Sequence, residues 1–237
     1  MDIAGSLAIV TLAALTHASF QLSVSVLSLL SGHSIGAKQS QAKLLRLTSS
    51  FLGGVAIMTI LILSFTSLAL IDLFGPTAPK AIWSIGCGLL VGIALAVWLF
   101  YYRKEKGTSL WIPRDMASYL VKRTKATKIS AEAFSLGLSS VVGEILFIIA
   151  PLFIAALALI RLSPNWQLIG IGIYTLVSML PIIAIWILIS GGHTIARIQK
   201  WREDNKYFLQ FIAGAGLIVL SFFVYMNEII TAVAGQI

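Results

Sequence analysis

Acidic side chains are scarce in this chain, nine among 237 residues against seventeen Lys and Arg, and only one of them, Glu144, is placed near the middle of an apolar segment. Burying a charge there costs roughly 3 kcal/mol on insertion scales, so it ordinarily faces a partner or a water-filled cavity. Cysteine is nearly absent as well. Cys87 stands alone, which excludes an intramolecular disulfide, a Cys-x-x-Cys redox pair and a thiolate metal cage, and leaves it as a small buried hydrophobe. With three histidines in all, no His cluster at metal spacing, no paired catalytic carboxylates and no nucleophile beside a base, the chain does not read as an enzyme. No lysine falls at mid-depth, which removes a retinal Schiff base, and no cofactor is expected. His33 and His193, each following glycine at a helix end, allow a metal or haem pair, but interfacial histidines are ordinarily solvated.

What is present is apolar: 58% of residues are hydrophobic and 11% charged, with a mean hydropathy of +0.95. Six segments, at about 4–31, 47–71, 80–102, 132–160, 166–190 and 207–233, are long enough to cross a core of about 30 Å. The expectation is an all-α polytopic membrane protein. The first segment lacks a basic leader and exceeds the length of a signal h-region, so it reads as a retained helix.

Lys and Arg accumulate at the cytoplasmic ends of spans. With the N-terminus outside, the inner loops hold Lys38, Lys43 and Arg46, eight basic residues within 103–128, and Arg197, Lys200, Arg202 and Lys206, leaving only Lys80 and Arg161 outside. That bias requires an even number of spans and both termini outside. The net charge of +8 then reflects topology and anionic headgroups, so membrane lipids are expected partners and nucleic acid is not. The expected location is a prokaryotic plasma (inner) membrane, multi-pass, with the basic loops cytoplasmic and a homo-oligomer allowed.

The basic loop divides the six helices into two sets of three. An odd-numbered unit repeated in tandem must be inverted, so the chain divides into a first repeat at 1–102, a basic linker at 103–130 and a second repeat at 131–237. In the linker Pro113 opens an amphipathic helix with Met116, Tyr119 and Leu120 opposite Arg114, Lys122 and Arg123, suited to lie on the cytoplasmic leaflet.

His17, Gln21, Ser25 and Ser28 recur along one face of the first helix, and Gly137, Ser140, Glu144, Phe147 and Pro151 along one side of the fourth. Pro151 should kink its helix beyond Glu144, and Pro181 repeats the theme in the fifth. Gly88 and Gly92 have GxxxG spacing. Trp98, Tyr101 and Tyr102 read as an interfacial belt, and Glu228 as a hydrated cap near the outer surface. His17 and Glu144 lie about 18–20 Å from opposite surfaces, close enough to the midplane to pair if their helices cross.

This three-plus-three plan with both termini outside, and glycine-rich starts such as Gly32 to Gly36, Gly53 to Gly54 and Gly214 to Gly216, resembles the lysine-exporter superfamily, which includes amino-acid exporters, metal exporters and cytochrome-c-biogenesis thiol carriers. The chain departs from the amino-acid exporters in having Thr16, His17 and Ala18 where they have Pro-Gly-Pro, and from the thiol carriers in lacking paired cysteines. The resemblance implies a secondary transporter, an exporter of a small solute or ion. The residues place a substrate or proton site at Glu144, His17, Gln21 and Ser140, with hinges at Pro151 and Pro181. Broken or kinked helices recur at such sites because freed backbone groups line the cavity. The alternatives from other classes are a channel or lipid-handling protein, and a non-transporting factor that holds a cytoplasmic partner with its basic loop.

Overall fold

The computed structural model describes residues 3–20, 22–36, 41–101, 114–191 and 195–230, and among these the regular structure is entirely helical. Ten α-helices follow in order: α1 Ile3–Ala18, α2 Leu22–Gly36, α3 Gln41–Phe74, α4 Lys80–Phe100, α5 Arg114–Ala126, α6 Ser130–Leu159, α7 Pro164–Ser178, α8 Leu180–Ser190, α9 Ile195–Asp204 and α10 Lys206–Val224, the last continued by a π-helical turn, Tyr225–Ile230. Four are long and apolar enough to cross a membrane: α3, α4, α6 and α10 with its π turn. Two further crossings are available if the bent pairs α1–α2 and α7–α8 each form one span. This is the makeup of a multi-pass α-helical membrane protein with four to six spans.

The continuous apolar stretches at 4–31 and 166–190 are therefore each interrupted, by bends of 46° and 52°. The second interruption sits at Met179, beside Pro181. In the fourth expected span Pro151 causes no break, and α6 runs unbroken through it for 30 residues. A proline deprives only one backbone carbonyl of its donor, and a helix held by neighbours along its length tolerates that loss.

α6 is such a helix. In its most apolar window 72% of residues are buried, against 33% for α3 and for α4, so α6 forms the axis and the others present one face to lipid. Its contact with α3 is made backbone to backbone: a Cβ on Gly54 would strike the Phe134 carbonyl, and a Cβ on Gly137 the Phe51 carbonyl. Small residues permit this approach where lipid supplies no hydrophobic drive between helices. The α4–α10 pair uses a different device. Gly214 accepts the Trp98 indole against its backbone, Trp98 Nε1 donates to the Phe211 carbonyl at 3.2 Å, and Gln210 Nε2 donates to the carbonyls of Val97 and Trp98 at 2.6 and 2.9 Å. Among the described residues Gly88 and Gly92 have no such neighbour.

Three sequence expectations change. Tyr101 is not an interfacial anchor: it is buried, with its ring edge-on to Phe147 at 5.0 Å and to Phe20 at 5.7 Å. Tyr102 lies outside the described residues. Glu228 is not a hydrated cap either, because it is buried and ion-paired to Arg161, whose guanidinium also stands 5.3 Å from the Trp83 ring centroid. Helix α5 forms within the expected stretch, but its apolar side is occupied by protein: Leu120 and Thr124 are buried, and Met116 and Leu120 lie over Gly143 of α6 and Leu22 of α2. Tyr119 remains exposed.

Candidate functional site

The first interruption begins with side chains that compete for helix carbonyls. The hydroxyl of Thr16 donates to the Leu12 carbonyl at 2.9 Å and that of Ser19 to the Thr16 carbonyl at 2.6 Å. The backbone tightens to three-residue closures, Ser19 N–H to Thr16 at 3.2 Å and Phe20 N–H to His17 at 3.0 Å. Ser and Thr offer the backbone such alternatives to the regular ladder. The chain then starts again at Leu22, beyond the 46° bend, where the first N–H groups of α2 have no partner in their own helix.

Glu144, half-way along α6, supplies one. Its Oε1 accepts the Leu22 N–H at 2.8 Å, and its Oε2 accepts the Ser23 hydroxyl at 3.1 Å. The carboxyl is 3% exposed, and it sits at the positive end of the α2 dipole, where a negative group is favoured. Ser23 Oγ also lies 3.2 Å from Ser140 Oγ, and the Ser140 hydroxyl donates to the Gly137 carbonyl at 2.8 Å. The result is one buried polar chain, Glu144 to Ser23 to Ser140 to the α6 backbone.

His17 is close by but engaged elsewhere. Its Nδ1 lies 3.1 Å from the Tyr174 hydroxyl on α7, so the hydrogen bond seen is His17 to Tyr174, where the sequence suggested Glu144. His17 and Glu144 nevertheless border one cavity of about 20 Å³, lined also by Phe20, Ser23, Ser178 and Pro181. That volume holds a single water molecule. Both interruptions open onto it, the first through Phe20 and Ser23, the second through Ser178, Met179 and Pro181.

Of the residues singled out from sequence, the structure thus brings Glu144 and Ser140 into one hydrogen-bonded chain, and it sets His17 and Pro181 on the cavity wall. Pro151 lies two turns along α6 from Glu144, at about 1.5 Å per residue, and is absent from that wall. Gln21, His193 and the side chain of His33 lie outside the described residues. Tyr174 and Ser23 were not proposed as site residues. Tyr174 carries a usable signal: it precedes Ser178 and Pro181 by four and seven residues, on one face of the fifth apolar segment. Among the described residues no three His, Cys, Asp or Glu side chains converge as metal ligands.

No protein-family model, no curated protein and no solved structure matches this chain.

Proposed function

We propose that the chain is a secondary transporter, an exporter of a small solute or ion, whose site is the cavity between the two interrupted spans and whose coupling group is Glu144. The observation that carries this reading is the Glu144 carboxyl capping a helix that begins in mid-span. Discontinuous helices that aim their half-helix ends at a midplane site are the recurring device of alternating-access carriers.

Counting hydrogens supports a proton role. With Glu144 ionised, Ser23 donates its only hydroxyl hydrogen to Oε2 and Ser140 donates its own to Gly137, so the Ser23–Ser140 contact holds none. With Glu144 protonated, Oε2–H donates to Ser23, Ser23 to Ser140 and Ser140 to Gly137, and every contact in the chain carries one hydrogen. Gaining or losing one proton therefore reorders the bonds that hold the start of α2.

Six spans in two inverted sets of three belong to the same proposal. In its favour, α3 packs on α6 as α7 packs on α1, α4 packs on α6 as α10 packs on α1, and α4 and α10 pair with each other. On this reading both termini lie outside and the basic loops are cytoplasmic, in a prokaryotic inner membrane. The test uses proteoliposomes with an internal pH dye, challenged in turn with amino acids, organic cations, organic anions and metal ions. Proton movement tied to one solute and lost at least tenfold in Glu144→Gln supports the assignment. An ohmic current that Glu144→Gln leaves unchanged would make the protein a channel.

A further inference from the structure

The Glu144 cavity has a chemical character that its size alone does not give. The polar residues on its border are His17, Ser23, Thr59, Glu144 and Ser178. A hydroxyl has one hydrogen and two lone pairs. That of Ser23 donates to Glu144 Oε2 at 3.1 Å and that of Ser178 to the Thr175 carbonyl at 3.0 Å, so both oxygens have only lone pairs left to offer the cavity. Thr59, 1% exposed on α3, lines the same space, and among the described residues its hydroxyl has no hydrogen-bond partner.

A border of acceptors repels an anion and attracts a cation. The volume of about 20 Å³ admits one water-sized sphere, so a cation enters stripped of water, with protein oxygens in place of its hydration shell. The ligands narrow the class further. Mg²⁺ holds on to several waters, and Ca²⁺ gathers more oxygens than these side chains supply. Zinc and its neighbours favour imidazole and thiolate, and His17 Nδ1 is already engaged with Tyr174.

We infer that this cavity binds one dehydrated alkali-metal cation, held by Glu144, Ser23, Thr59 and Ser178, in competition with a proton on Glu144. The ion is the coupling partner of the transport site proposed above, on which the inference rests. Around the carboxylate stand His17 on α1, Tyr174 on α7 and Arg202 on α9, whose Nη2 donates to Ser25 Oγ at 2.8 Å and whose charge acts on Glu144; α2, α3 and α8 bring no titratable side chain to the cavity. Arg202 already offsets an ionised Glu144, so one proton or one monovalent ion adds the same single charge. Both together would add a second charge in a buried place, which favours exchange over joint binding.

The test is equilibrium binding of radioactive Na⁺ to the purified full chain in nanodiscs, with N-methylglucamine as the inert cation. One saturable site per chain is expected, displaced by unlabelled Na⁺ and by acid. Thr59→Val removes one oxygen at nearly constant volume and should weaken binding at least tenfold, and Thr59→Ser, which returns the oxygen, should restore it to within threefold. Hydrogen exchange over 17–24 and 175–183, slowed by Na⁺ in the unaltered chain and not in Thr59→Val, locates the ion at this cavity. Displacement by Li⁺ or K⁺ more readily than by Na⁺ identifies the preferred ion and supports the site. No saturable binding of Na⁺, or of Rb⁺ as a label for K⁺, overturns it, as does binding indifferent to acid or equal in Thr59→Val. Ion binding without solute-linked proton movement would remove the transporter and leave the site; such movement without ion binding would remove the site alone.

Discussion

The two bent helix pairs, α1–α2 and α7–α8, reach the same outcome by opposite means. In α7–α8 the cause is local. Pro181 has no N–H to offer the Val177 carbonyl, Ser178 donates its hydroxyl to Thr175 at 3.0 Å, and the helix resumes with Ile183 N–H on the Met179 carbonyl at 2.9 Å. In α1–α2 neither glycine nor proline occurs from residue 6 to residue 31, and the restart is capped by a carboxyl 122 positions away in sequence. One break is written in its own residues and the other depends on a distant side chain. A break of the second kind can respond to a change at its partner, which a proline cannot.

The largest expected effect comes from removing that partner. Glu144→Leu leaves the Leu22 N–H without its acceptor inside the bundle, with the Ser23 hydroxyl turning to Ser140 Oγ, and should cost about 3 kcal/mol. For a chain of this size that is a fall on the order of 10 °C in thermal midpoint, measured in detergent. An unchanged midpoint would show that the first break holds itself. Next is Gly137→Ala, two turns before Glu144, whose Cβ must displace the Phe51 carbonyl. Overpacking there should cost about 2 kcal/mol, and hydrogen exchange should rise around 19–24 while the segment around Met179 stays protected. Tyr174→Phe removes the hydroxyl that meets His17 and should cost about 1 kcal/mol, with the shift appearing in the His17 ring resonances. The smallest effect on stability belongs to Pro181→Ala, no more than about 1 kcal/mol. It has the clearest effect on shape, since spin labels at Leu168 and Leu188 should move apart as α7 and α8 straighten. If their separation is unchanged, the second break is also imposed from outside.

Much of this was legible in the residues. An apolar composition with few charges can only be a membrane protein, and the four-and-three spacing of Ser140 and Glu144 put both on the face that turns inward. The linker helix was legible from its pattern, but its resting place was not, since an apolar face reads the same whether it meets lipid or Gly143 and Leu22. Proline was an uneven guide: Pro181 sits at a break, whereas Pro151 is carried through by the packing around α6. The break near Ser19 has no strong local signature, because Ser and Thr are also the ordinary glue of helix bundles. Arg161 with Glu228, and Arg202 with Ser25, pair side chains 67 and 177 positions apart, and nothing local announces either.

The crossing of α3 and α6 at Gly54 and Gly137 has a mechanical consequence. Most helix contacts are made through side chains, which can change rotamer and let two helices slide. Here carbonyl oxygens abut glycine backbones, so there is nothing soft between the two rods, and at about 1.5 Å per residue α3 alone is about 51 Å long. The pair therefore behaves as a rigid strut through the bundle. A change of shape in the bundle would therefore fall to α1, α2, α7 and α8, at the points where their own ladders are already open.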